Sequence, residues 1–161
     1  MSTLAGKTIL MSGGSRGIGL AIALRAAADG ANIAMLAKTD TPHPKLEGTV
    51  HSAAEQIRAA GGQALPIVGD VRDDDDITEA VMKTQGEFGG IDIVINNASV
   101  IDLSRSLDLG AKKYDLMQDV NVRGTFMLSR AAIPILKDAE NPHILSLSPP
   151  CLLYTSPSPR D

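Results

Sequence analysis

One stretch constrains this chain more than any other: Ser12-Gly13-Gly14-Ser15-Arg16-Gly17-Ile18-Gly19. The apolar run Thr8-Ile9-Leu10-Met11 leads into it, and a segment rich in Ala, Leu and Ile follows over residues 20–28. The order predicts strand, glycine turn, helix. Gly13 lets the chain leave the strand in a conformation closed to residues with a Cβ. Gly17 leaves room for a ligand at the backbone, and Gly19 lets the helix pack closely on the strand. The first N–H groups of such a helix lack intrahelical partners and lie at its positive dipole end, which makes an anion site suited to a dinucleotide pyrophosphate. The spacing is Gly-x-x-x-Gly-x-Gly, not the commoner Gly-x-Gly-x-x-Gly. A glycine turn alone does not settle a fold, so the remainder of the chain must.

With 161 residues, the chain is long enough for one domain with a sizeable core. Hydrophobic residues at 43% and charged residues at 21% place it among globular, soluble chains. A formal net charge of −4 argues against nucleic acid or an acidic membrane surface as partner, and 2% aromatics leave few platforms for stacking bases. No stretch approaches membrane-spanning length and no signal peptide opens the sequence. A single cysteine, Cys151, excludes an internal disulfide framework and predicts a reducing compartment, the cytoplasm by default.

Past the first helix, Asp29-Gly30 reads as a helix stop. Ile33-Ala34-Met35-Leu36-Ala37 is a second strand, and Lys38 follows at the place that faces the adenosine ribose in a dinucleotide fold. A basic residue there pairs with the 2′-phosphate of NADP, whereas an acidic one favours NAD; Lys38 and Arg16 together point to NADP, with NAD as the alternative. Prolines 42 and 44 and Gly48 make residues 41–48 a loop, in which His43 reads as a surface histidine and not a metal ligand. Residues 50–60 read as a helix, and Ala64-Leu65-Pro66-Ile67-Val68 as a strand that Pro66 confines to a sheet edge. Asp70 and Val71 follow it, readable either as an ordinary turn after the strand or as the place of the adenine amino group and ring. Asp73-Asp74-Asp75-Asp76 reads as helix capping and not as a metal site. A helix over residues 77–88 comes next. Ile91-Asp92-Ile93-Val94-Ile95 has the apolar content of a central parallel strand, and Asn96-Asn97-Ala98-Ser99 then falls at the floor of the crevice. Residues 114–138 read as a long helix whose apolar face is Leu116, Val120, Met127 and Ala131, widened by Leu128 and Ile135 and kinked at Pro134. Residues 143–148 form a fifth strand. The alternation predicts a doubly wound, Rossmann-type parallel α/β sheet in the order 3-2-1-4-5, ending after that strand.

Gly13 to Gly19, Asp70-Val71, Asn96-Asn97-Ala98-Ser99 and Asn121-Val122-Arg123-Gly124 together resemble the short-chain dehydrogenase/reductase family. Lys38-Thr39, Asp115-Leu116-Met117 and Leu147-Ser148-Pro149-Pro150 resemble its hydroxysteroid dehydrogenase-like branch. The resemblance spans residues 4 to about 150. It implies hydride exchange between NADP(H) and a small-molecule carbonyl or alcohol, in a homo-oligomer. It also implies a catalytic group of Asn, Ser, Tyr and a Lys four residues after the Tyr. Asn121 matches the asparagine. Ser148 lies one place before the usual serine, where this chain has Pro149, and no Tyr-x-x-x-Lys occurs. The implied cofactor residues are Gly13, Gly14, Ser15, Arg16, Gly17, Ile18, Gly19, Lys38, Asp70, Val71, Asn97, Ala98 and Ser99.

Residues 151–161 lack apolar periodicity, and their back-translation resembles a transposon-derived sequencing adapter. A dinucleotide-binding domain over residues 1–150 is therefore expected, the N-terminal part of a longer enzyme, with a non-native or disordered tail over 151–161. The rival function is a non-catalytic dinucleotide-binding module.

Overall fold

Side chains alternate across the central strands as a sheet covered on both faces requires. Ile9 and Met11, with Ile33 and Met35 beside them, enter one apolar cluster; Leu10, Ala34 and Leu36, from the intervening positions, enter another. The strands are Thr8–Ser12 (β1), Asn32–Ala37 (β2), Gln63–Val68 (β3), Ile93–Asn96 (β4) and His143–Ser146 (β5). They form one parallel sheet in the order β3-β2-β1-β4-β5. This is the doubly wound α/β sheet that the alternation predicts. The structure, a computed structural model, describes residues 4–42 and 48–148. His43, Pro149 and residues 151–161 fall outside the described residues.

Gly17–Ala28 (α1) and Val50–Ala59 (α2) cover the first face, with Ala23, Ala27, Ala53, Ala54 and Ile57 fully buried. Alanines bring these helices close to the sheet. Asp74–Phe88 (α3) and Thr125–Leu136 (α5) cover the second face through Ile77, Ala80, Leu128 and Ala132. Among the described residues no helix is long and apolar enough to cross a membrane.

Helix ends follow local chemistry. Asp73 caps α3, accepting from the N–H groups of Asp75 at 2.9 Å and Asp76 at 3.2 Å. Gly89 ends that helix in the left-handed region at φ 82°. Thr49 and Ser52 make a reciprocal capping box at the start of α2. Pro66 lies in β3, at the sheet edge, opposite Met35.

The long helix differs from its expected form. It begins at Ala111, and between Ala111–Gln118 (α4) and α5 lies a π turn, Asp119–Gly124. A π turn holds more residues than an α turn, so it shifts the phase of everything after it. The buried line is accordingly Val120, Leu128, Ala132 and Leu136; Met127, Ala131 and Ile135 are only half-buried beside it. Val122, Phe126 and Ile133 face outward, 59%, 61% and 40% exposed. Strand β5 is exposed along its whole length.

Two glycines in helices should respond oppositely to alanine. A Cβ on Gly19 would lie 2.5 Å from both Gly13 O and Asn97 Nδ2, whereas a Cβ on Gly86 meets nothing within 4 Å. Gly19→Ala is expected to cost about 1–3 kcal/mol, as overpacking does. Gly86→Ala should stabilise by about 0.5–1 kcal/mol through lost unfolded-state freedom. Thermal or urea melts of the two variants check both signs.

Candidate cofactor-binding cleft

At the carboxyl end of β1 the chain must turn sharply into α1, and the glycines define the shape of that turn. Gly13 stands at φ 73° and Gly17 at φ 55°. A Cβ on Gly13 would lie 2.9 Å from Ala98 Cα, so the end of β4 packs directly onto this turn. A Cβ on Gly14 would meet Met35 Cγ at 2.9 Å, which seats the turn on β2. Gly17 has open space above it. Helix α1 begins here with no side-chain cap and no acidic residue in its first turn, so its positive end faces outward.

The post-β4 segment is stitched to this turn by polar side chains. Asn97 Nδ2 donates to Gly13 O at 2.7 Å and to Ser12 O at 3.3 Å. Ser12 Oγ accepts from the backbone N–H groups of Asn97 and Ala98, each at 3.2 Å. Asn96, 4% exposed, reaches across with its amide to Ser129 Oγ at 2.9 Å and Ser146 Oγ at 3.2 Å. It thereby ties β4 to α5 and β5.

A cleft of about 520 Å³ opens outside these strand ends. Ten expected residues line it: Gly13, Ser15, Arg16, Ile18, Lys38, Asp70, Val71, Asn97, Ala98 and Ser99. Gly14, Gly17 and Gly19 do not line it and act through the shape of the turn. Asn121 lies outside the lining but holds a residue within it: its Nδ2 donates to Val100 O and its Oδ1 accepts from Val100 N, both at 2.8 Å. Ser148 stands exposed two residues beyond β5 and is not part of the lining.

Charge is concentrated at the β2 and β3 side of the cleft. Lys38 Nζ lies 2.9 Å from Asp70 Oδ2. Arg72 grips the same carboxylate, with Nε at 2.9 Å and Nη2 at 2.6 Å from Oδ2. Burial opposes ionisation of Asp70, but the hydrogen bonds from Arg72 and Lys38 outweigh it and hold the carboxyl well below the usual range. Arg16 donates to Thr39 Oγ1 at 2.6 Å and to Gly48 O at 3.3 Å, which brings its cation beside the Lys38-Thr39 turn.

Sequence reading missed Ser12, Arg72 and Arg123. A hydroxyl immediately before the glycine turn was the available sign for Ser12. The Asp-x-Arg spacing was the sign for Arg72, whose N–H closes a turn onto Asp70 Oδ1 at 3.0 Å. Arg123 stands within the Asn121–Gly124 motif, but nothing there points to its partners, Arg72 O and Asp74 Oδ1, both at 2.6 Å and 51 and 49 residues away.

The anchored carboxylate makes stability depend on pH with a definite sign. A folded-state pKa below the unfolded value stabilises the fold fully above the ordinary aspartate pKa of about 3.9, and the gain is lost as pH falls through the folded value. Asp70→Asn should therefore lower stability by about 1–2 kcal/mol between about pH 5 and 7, with the gap closing below about pH 4. Denaturant titrations of both proteins across this range check it; a gap that persists in acid would contradict the assignment.

A family model described as short chain dehydrogenase matches residues 7–151. Hydroxysteroid dehydrogenase-like protein 2 from Bos taurus is 58% identical over 147 residues, covering 91% of this chain and 35% of that protein. The human protein of the same name is 57% identical with the same coverage. Among solved structures, a short chain dehydrogenase from Mycobacterium thermoresistibile is 57% identical with a TM-score of 0.90, covering 95% of this chain and 55% of that one. The NADH-dependent reductase A1-R′ complexed with NAD is 28% identical with a TM-score of 0.77, covering 90% of this chain and 60% of that one. The chain spans about 35% of the length of the curated relatives it matches. On its sequence match and its fold together, the chain belongs to the short-chain dehydrogenase family.

Proposed function

We propose that the cleft binds NADP(H) and that residues 1–150 are the dinucleotide-binding part of a longer oxidoreductase acting on a carbonyl or alcohol. The observation that carries this reading is that the uncapped start of α1, its turn left open at Gly17, adjoins a cleft lined by the cations of Arg16 and Lys38. Helix start and glycine cradle suit a pyrophosphate, while Lys38 and Arg16 would take the 2′-phosphate. Asp70 and Val71 would bound the adenine, and Asn97, Ala98 and Ser99 the nicotinamide end. When bound, the nicotinamide ring supplies the two-electron exchange with the substrate carbon.

The chain's own residues would then fix geometry and protons. Asn97 and Ser12 hold the floor of the cleft, and Asn121 holds Val100. Ser148, past the end of β5, would offer its hydroxyl to the substrate oxygen. Neither Asn121 nor Ser148 can replace a tyrosine whose pKa a lysine lowers. Four residues after Tyr114 stands Gln118, and four after Tyr154 stands Ser158. The 161-residue chain is accordingly proposed to bind cofactor without turnover. We place the parent in the cytoplasm, as a homo-oligomer.

One observation favours NAD(H) as a second reading. The Lys38–Asp70 pair partly neutralises the cation that NADP needs, and the 28% identical neighbour is NADH-dependent by name.

Titrating the chain with NADPH and NADH separates the two readings. The expected result is tighter NADPH binding, with Lys38→Ala weakening NADPH by about 1–3 kcal/mol and leaving NADH unchanged. Equal affinities, or no effect of the substitution, would support NAD instead. A carbonyl panel with NADPH, run on this chain and on a version extended with the downstream coding sequence after Pro150, should show oxidation only in the extended protein. Turnover by the 161-residue chain would refute the assignment of the missing Tyr/Lys pair.

A further inference from the structure

The π turn holds the loops that border the cleft on both sides. Toward β4, Asn121 clamps Val100 by two hydrogen bonds of 2.8 Å. Toward β3, a Cβ on Gly124 would lie 2.9 Å from Val71 Cγ2 and 3.1 Å from Val71 O, so only a glycine lets the turn press against that segment. Beside it, Arg123 Nη1 donates to Arg72 O at 2.6 Å while Nη2 meets Asp74 Oδ1 at 2.6 Å. Asn121, Arg123 and Gly124 line no part of the cleft themselves. Val71, Arg72 and Val100, which they hold, all do.

We propose that the π turn is a clasp for this cleft and that Arg123 is a positioning residue for its adenosine end. The proposal deepens the dinucleotide reading above and rests on it for the choice of ligand. Arg123 fixes the carbonyl of Arg72, and the guanidinium of Arg72 fixes both oxygens of Asp70. Asp70 in turn sets where Lys38 stands, 2.9 Å away. A guanidinium suits this post because its fork serves a carbonyl and a carboxylate at once. The Arg123–Asp74 side chains are 41% and 51% exposed, so the ion pair itself adds little stability. The contribution of Arg123 is therefore orientation, felt at the cleft and not in the melting temperature.

The test uses Arg123→Gln, Arg123→Lys and Asp74→Asn in the 161-residue chain. Adenosine-end affinity is read with 2′,5′-ADP by calorimetry, and nicotinamide-end affinity with nicotinamide mononucleotide by NMR. Arg123→Gln is expected to weaken 2′,5′-ADP roughly three- to tenfold, the scale of one ordinary hydrogen bond, since Arg123 acts on the ligand only through Arg72 and Asp70. Nicotinamide mononucleotide should be unaffected, and melting should shift by less than about 3 °C. Arg123→Lys should recover at least half of the loss, and Asp74→Asn, which removes the exposed charge but keeps an Oδ1 to accept from Arg123, should behave as the unsubstituted chain. Amide hydrogen exchange supplies an arm that needs no ligand: Arg123→Gln should speed exchange at residues 70–73 and leave residues 12–19 unchanged. Equal weakening of both half-ligands, or unchanged exchange at 70–73, would overturn the clasp. Failure of the unsubstituted chain to bind both 2′,5′-ADP and 5′-AMP would overturn the dinucleotide reading, and the exchange arm would still decide the clasp; binding of 5′-AMP alone would select NAD(H), and the Arg123 series is then read with 5′-AMP. If Arg123→Gln does not fold, Arg123→Met, which keeps the apolar stem and removes both donors, takes its place in the same exchange comparison.

Discussion

The bond from Asn97 Nδ2 to Gly13 O is the interaction on which the cleft depends. It joins the ends of β1 and β4, the neighbouring parallel strands between which the strand order switches sides, and it exists only because Gly19 has no side chain to block the amide. A glycine in the first turn of a helix is normally a loss for helix stability. Here the absent Cβ leaves space for a hydrogen bond between segments 84 residues apart in sequence. The floor of the crevice is thus rigid through side-chain amides, and its mouth is left to the charged residues.

At that mouth one carboxylate organises two cations. Asp70 receives Arg72 and Lys38 together, and its own N–H donates to Asp76 Oδ2 at 2.8 Å. The acidic run at the start of α3 therefore does more than complement a dipole. Asp73 caps the helix, Asp76 holds the peptide of Asp70, and Asp74 meets Arg123 of the π turn. Three adjacent functions come from one run of like charge because successive residues at a helix start point in different directions.

The sheet order and the glycine turn were legible in the sequence because apolar runs, helix stops and Pro66 each act locally. So was the capping role of Asp73, whose partners lie two and three residues on. The π turn was not legible: a single wide turn leaves no periodic mark, and with the phase shifted Ala132 and Leu136 take the buried places expected of Ala131 and Ile135. Lys38 and Arg16 both line the cleft, but spacing gives no sign that Asp70 stands against Lys38. Asn121 carried a sign, an amide inside a helix, yet its partner Val100 lies 21 residues earlier in an irregular segment. Contacts across folded distance leave no local trace, and the walls of this cleft are made of them.

The two margins of the sheet are chemically unlike, and this gives the sheet a direction of growth. At β3, Pro66 offers no N–H, and its ring obstructs any strand approaching from outside. At β5 the strand His143–Ser146 is exposed and free of proline, and it carries the half-exposed Ile144 and Leu145. Any strand that joins this sheet, from the same polypeptide or another, is admitted at β5 and refused at β3. Addition is therefore one-sided, and each added strand extends the sheet away from the cation-lined mouth instead of across it.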